Sequence, residues 1–350
     1  MCLMPAGQTD LTGREKTKQW RKTVFDRLRV FAIAIALVGI GSAATLVAAA
    51  ENFPTRPVTI IVASTPGGGT DIVSRIAAEQ LSKQLGQPFV VENIPGAGSL
   101  TGTVVAAKAA PDGYTLQTGL NASMAVNPSL FANLPYDPIN DFEPVGMLAE
   151  FPFVVVVSKN FPAHSIKELI ALAKSRPGEI NYASAGNGTG QHLSMELFKL
   201  MTGINLTHVP YRGAAPAYTD VISGQVPVFI DNLASGLGQV KGGNVRALAV
   251  TGKERSSLLP DVPTVEEAGV PGYVYYTWFG LWAPKKTPQP IIDKLHAEIK
   301  KAIADPTVKA RIVAAAGEPM DMPLADINPF LKAEIAKWAD VVKRAGIAVQ

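Results

Sequence analysis

Two stretches about 120 residues apart follow one plan, and this repetition limits the fold more than any other feature of the chain. Residues 60–76 read IIVASTPGGGTDIVSRI, and residues 180–197 read INYASAGNGTGQHLSMEL. Each passes from a β-rich run through Ala-Ser and a glycine-rich turn containing Gly-Thr into an amphipathic pattern. A short apolar run bounded by turns reads as a buried parallel strand. Ile72, Val73, Ile76, Ala77, Leu81 and Leu85 share one face of a helix that Gly86 ends. The alternation continues, with strands predicted at 58–64, 89–93, 114–119, 153–158, 180–184, 206–210, 227–231 and 245–251. Helices are predicted at 71–85, 165–175, 291–304 and 328–345, and Ser165 and Glu168 stand in capping-box spacing. This β-α-β order implies an α/β fold of open parallel sheets covered by helices, and 350 residues suit two such units better than one.

The repeated turn has a defined chemistry. The first N–H groups of a helix lack internal partners, and the helix dipole adds partial positive charge there. Glycines let the backbone approach a ligand and adopt positive φ. A parallel strand, a glycine turn and a helix start therefore make an anion seat without Lys or Arg. The candidates are Pro66, Gly67, Gly68, Gly69, Thr70 and Asp71 in the first loop, and Ser184, Ala185, Gly186, Asn187, Gly188, Thr189 and His192 in the second. Two such seats facing across a cleft would hold one small carboxylate from both sides, although either loop alone also fits an ordinary strand–helix connection. The first loop matches neither G-x-G-x-x-G nor a P-loop with its Lys. Asp71, in the first helical turn, carries a charge that competes with a bound anion; it either caps the helix, or orders a water or accepts a donor from the ligand.

The remaining composition narrows the function. Lys and Arg number 32 against 29 Asp and Glu, but residues 1–50 hold seven basic and three acidic groups, which leaves 25 and 26 in the rest. A near-neutral body argues against nucleic acid as partner. The single Cys2 excludes a disulfide scaffold and a cysteine-based metal site. His164, His192, His208 and His296 are scattered, with no H-E-x-x-H, no metal spacing and no G-x-S-x-G elbow. No catalytic residues, metal or cofactor are expected. The one enzymatic alternative is a hydrolase with His192 as general base beside Ser184. Basic residues end at Arg29, an uncharged run covers 30–50, and Ala48-Ala49-Ala50 forms an A-x-A site. Residues 1–50 thus read as a signal peptide cleaved near Ala50. The 21-residue run could just span a bilayer, but Gly39, Gly41 and Ser42 weaken a spanning helix.

The stretches FPTRPVTIIVASTPGGGTDIVSRIAAEQLSKQLGQPFVVENIPGAGSLTGTVVAAKAAPDGYTL, INYASAGNGTGQH, VPYRGAAPAYTDVISGQVPVFID, RALAVTGKERSSLLPDVPTVEEAG and WFGLWAPKKTPQPIIDKL resemble the Bug family, the TctC-type substrate-binding receptors of tripartite tricarboxylate transporters. The resemblance covers 52–350. It implies a type 2 periplasmic-binding-protein fold, with two α/β lobes joined by two crossing strands and a ligand cleft between them. It places the crossings near 149–153 and 275–281, with lobe 1 at 51–150 plus 276–350 and lobe 2 at 151–275. It implies a periplasmic receptor that hands a small organic acid to large and small membrane permease subunits; a monomer is expected, because a receptor that closes and docks needs its face free. The ligand class would be a di- or tricarboxylate, an acidic amino acid or an aromatic carboxylate. A sensor feeding a two-component system would use the same lobes. Ala63-Ser64-Thr65 stands where many relatives carry a bulkier residue, which would widen the pocket entrance. Further wall candidates follow strands: Asn121 and Ser123, then Tyr211, Arg212 and Gly213, then Asp231 and Asn232, and Tyr276, Trp278 and Phe279 near the second crossing. Arg212 could grip a second carboxylate or form a salt bridge, and Trp278 could stack on a flat ligand or pack the hinge.

Overall fold

The computed structural model describes residues 52–347. The predicted signal peptide and its cleavage site lie outside the described residues, and the compact unit below starts at Pro54. Its first elements are β1 (Val58–Val62), α1 (Gly69–Leu85), β2 (Phe89–Asn93), α2 (Leu100–Ala107) and β3 (Thr115–Leu120). A π-helical turn (Ala122–Val126) runs into α3 (Asn127–Leu130), followed by β4 (Phe142–Ser158). Next come α4 (Ile166–Ser175), β5 (Asn181–Ser184), α5 (Gly190–Thr202), β6 (Thr207–Pro210), α6 (Ala214–Ser223), β7 (Val228–Asn232), α7 (Leu233–Lys241) and β8 (Val245–Val250). The chain closes with β9 (Tyr276–Pro284), α8 (Gln289–Ala304), α9 (Pro306–Ala314), β10 (Glu318–Pro319) and α10 (Leu324–Arg344).

The strands pair in the order β2-β1-β3-β9-β4-β7-β5-β6, with β8 and β10 also on β4. Strands β2, β1 and β3 are parallel, as are β7, β5 and β6. The two predicted parallel regions are both present. They are not separate sheets, because β4 runs through both. Up to Pro152 it pairs antiparallel with β9, and from Phe153 onward it pairs with β7 and β8. Proline has no N–H to give a ladder, so a change of partner next to Pro152 costs little. Thr251 ties the junction. Its hydroxyl accepts from the Phe153 amide and donates to the Tyr275 carbonyl, while its own amide donates to the Phe153 carbonyl. The chain therefore crosses between the two regions twice, at Phe153 and at Tyr275, as expected. The rings of these two residues meet edge to face at 4.8 Å, and Trp338 of α10 packs on Tyr275 at 5.5 Å.

The observed elements differ from the expected ones in four respects. The first half of β4 (FEPVGM) carries Pro144 and Gly146 and so shows no strand periodicity; its pairing with β9 supplies the order. The last helix starts at Leu324, not at 328, and carries Pro329 inside its second turn. Helix α9 was not predicted, although Asp305 caps it through the Thr307 and Val308 amides. The Ser165 cap is present, but Glu168 reaches back to the His164 amide instead of that of Ser165.

Candidate functional site

The repeated sequence plan is also a repeated geometry. Helix α1 begins after Gly68 and α5 after Thr189, both with extended backbone and neither making a side-chain cap. The residue before each is a glycine in the left-handed region, Gly67 at φ +85° and Gly188 at φ +72°. The Gly67 amide donates to Asp71 Oδ2 at 3.0 Å, and the Gly188 amide donates to His192 Nδ1 at 3.1 Å. In both loops the third helical residue thus turns back to hold the turn. This leaves the opening amides of each helix, at Gly69 and Thr70 and at Gly190 and Gln191, without intrahelical acceptors.

Both helix starts line one cavity of about 570 Å³. Of the predicted residues, Gly67, Gly68, Gly69, Thr70, Asn121, Asn187, Gly188, Thr189, Asn232 and Phe279 line it. No charged side chain does so among the described residues. Its polar groups are amides and hydroxyls, including those of Asn127, Gln191, Ser235 and Thr277, and Phe153 and Phe279 supply aromatic walls. Such a lining favours an anion through hydrogen bonds and helix dipoles.

The structure places the other predicted residues around this cavity, not on it. Asp71 is buried, where desolvation opposes its ionisation. Hydrogen bonds from Arg75, the Gly67 amide and Asn93 outweigh that and hold its carboxyl below the usual range. It holds the turn ahead of the helix through the Gly67 amide and does not cap the helix at Gly68. Pro66 is exposed beyond the rim. Ser123 closes the turn after β3 through Leu120. Ala185 and Gly186 build the second turn, where the Gly186 carbonyl accepts from the Thr189 amide and hydroxyl. The Tyr211 hydroxyl donates to Asp220. Arg212 is exposed with no ion pair among the described residues, and Gly213 precedes α6 as its N-cap. Asp231 lies one layer back, fully buried, accepting from Gln191 and Ser235, which do line the cavity. Burial pushes its pKa up. Trp278 is buried away from the cavity with its indole N–H on Glu334. Side chains alternate along a strand, so Thr277 and Phe279 face the cleft where Trp278 does not. Of the three aromatic candidates on this strand, Phe279 is on the cavity face and Tyr276 and Trp278 are not.

The predicted Ser184–His192 pairing is not formed. Ser184 Oγ bonds His208 Nε2 at 2.6 Å, and His192 stacks flat on His208 at 4.0 Å with its Nδ1 occupied by Gly188. Burial, and then the Lys199 charge, push His192 down to about 4; burial, and then His192, do the same to His208. Ser184 is itself fully buried and also hydrogen-bonded to the Gly186 amide. These groups shape the loop.

Comparison with known proteins settles the lineage. The family model described as tripartite tricarboxylate transporter family receptor, TctC, matches residues 73–347. The chain belongs to the TctC receptor family. Protein BugT of Bordetella pertussis is 38% identical over 320 residues, covering 91% of this chain and 97% of that protein. A protein of R. palustris solved with adipate superposes with a TM-score of 0.77 at 38% identity, covering 85% of this chain and 100% of that one. MatC of Rhodopseudomonas palustris, solved with bound malate, gives 0.72 at 35% identity over 83% of this chain and 100% of that one. TctC receptors bind solutes and are not enzymes, and the fold of this chain is that of the periplasmic binding proteins. Among the described residues no helix is long and apolar enough to cross a membrane.

Proposed function

We propose that the protein is a periplasmic receptor that traps a small organic carboxylate between the two helix N-termini and delivers it to a tripartite tricarboxylate-type permease. Residues 51–150 with 276–350 act as one lobe and 151–275 as the other, and the signal peptide at 1–50 exports the chain. The carrying observation is the convergence of Gly69–Thr70 and Gly190–Gln191 on one cavity that has no charged lining. An anion there is bound by backbone donors from both lobes, so its differential affinity favours the closed state. The adipate and malate held by two related structures support the ligand class. Calorimetric titration of the mature chain tests this. Malate and adipate are expected to bind while their diamides do not. Diamides that bind as tightly as the acids would overturn the reading.

A further inference from the structure

The main cavity has a neighbour. A second hollow of about 410 Å³ runs along the α5 face that carries His192, Glu196 and Lys199, and is completed by His208 and by residues 345–347. The two hollows share Leu130, Asn187 and Gly188. Leu130 ends α3 and is 4% exposed. Its Cδ1 lies 2.5 Å from where a Cβ on Gly188 would stand, so this methyl group fills the space the glycine leaves. The residues that divide the chambers are thus one leucine side chain and one tight turn.

The chambers differ in chemistry. The first presents uncharged donors only. The second holds the Lys199 ammonium, which gives one hydrogen to Glu196 Oε1 at 2.7 Å and retains two further donors. Glu196 accepts from the Tyr182 hydroxyl at the same oxygen; its pair with Lys199 is formally neutral, so the chamber offers a second carboxylate its hydrogen-bond donors, not a net positive charge. Because His192 Nδ1 accepts from Gly188, its proton sits on Nε2, and that nitrogen is a further donor. The second chamber therefore suits the far carboxylate of an extended molecule.

We propose that Leu130 is the partition of a two-chamber solute site and sets the length of the unbranched dicarboxylate admitted. One carboxylate sits on the helix N-termini. With Leu130 in place the chain of the ligand must end in the first chamber; with it cut back, a longer diacid reaches Lys199. This rests on the carboxylate reading above, and the two are separable in one experiment. Succinate, adipate, suberate and sebacate, with malate as a fifth ligand, are titrated calorimetrically into the mature wild type, Leu130→Ala, the milder Leu130→Val, and Leu130→Ala combined with Lys199→Met, with thermal unfolding as the fold control. The wild type is expected to lose affinity from adipate to sebacate. Leu130→Ala narrows that ratio by about tenfold, equivalent to about 1.4 kcal/mol, and Leu130→Val narrows it less. Lys199→Met in the Leu130→Ala background returns the wild-type ratio. A wild type that binds adipate, with both folded Leu130 variants keeping its length profile, overturns the partition alone. A gain that survives Lys199→Met overturns the placement of the far carboxylate. A wild type that binds malate but none of the four unbranched diacids overturns this inference and leaves the carboxylate reading standing; one that binds none of the five overturns both.

Discussion

Gly67 and Gly188 hold the same place in their loops, and each donates its amide to the side chain four residues on. The acceptors have nothing else in common. Asp71 is an anion, paired one turn further with the Arg75 guanidinium at 3.0 Å and braced by Asn93. His192 is a neutral imidazole with Glu196 one turn further at 4.0 Å, stacked in a ring column with His208 and Tyr182. The surroundings differ too. A Cβ on Gly69 would meet only the Phe279 ring at 3.7 Å, whereas on Gly190 it would meet Tyr275 Oη at 2.7 Å and Phe153 Cζ at 2.9 Å. The first loop is held by charge in open space, and the second by packing at the crossing strands. What the two share is an acceptor on the third helical residue, which fixes the turn and leaves the helix amides free for a ligand.

The largest effect should separate the two glycines that begin the helices. Gly190→Ala is expected to cost about 1–3 kcal/mol in urea unfolding, because the crossing aromatics cannot yield without strain. Gly69→Ala should stay within about 1 kcal/mol of wild type, its contact being ordinary and its helix propensity improved. Equal costs would break the packing half of the comparison.

Removing the acceptors comes next. Asp71→Ala leaves the Gly67 amide, Asn93 and Arg75 without their shared partner, and is expected to cost about 1–2 kcal/mol by the same measurement. His192→Ala should cost a similar amount by freeing the Gly188 amide and removing a ring from the stack. The two variants should be additive, since they lie in separate networks.

Acid should loosen only the second loop over a defined window. The pKa of His192 is depressed from 6.5 to about 4, so the unfolded chain takes up protons in that range before the folded one does. Its stabilising contribution is complete above pH 6.5 and is lost as pH falls to about 4. The Asp71 pKa is lowered from 3.8, so its contribution is lost only below that value. Between pH 7 and pH 4 the melting temperature of wild type should therefore drop relative to that of His192→Gln, while the difference between wild type and Asp71→Asn stays constant. Identical slopes in wild type and His192→Gln would contradict the assignment.

Salt should give the smallest difference. The Arg75 side chain is 52% exposed, so screening its pair with Asp71 should lower the urea midpoint only slightly as salt is raised, and Asp71→Asn should remove that small dependence while His192→Gln keeps it.

Much of this was legible in the chain. Ile72, Val73, Ile76 and Leu81 announced α1, and the two glycine turns announced the loops, because local periodicity and turn chemistry decide both. The continuity of β4 was not legible, since Pro144 and Gly146 hide a strand that exists only through its pairing with β9. Nor was the face of β9: Tyr276, Trp278 and Phe279 all suit a binding wall, and only register puts Phe279 in the cleft and Trp278 on Glu334. The role of Asp71 stayed open because a carboxylate in the first helical turn can cap the helix or meet a ligand; Arg75 and Asn93, brought alongside it, instead engage it in bracing the turn at Gly67.

Amide resonances of Gly69, Thr70, Gly190 and Gln191 in an isotope-labelled mature chain, followed through a titration with adipate or malate, probe both helix starts at once. Downfield shifts at all four, saturating together at one stoichiometric equivalent, are predicted. Shifts confined to the α1 pair or to the α5 pair, with the other pair unmoved at saturation, would contradict a ligand held by both.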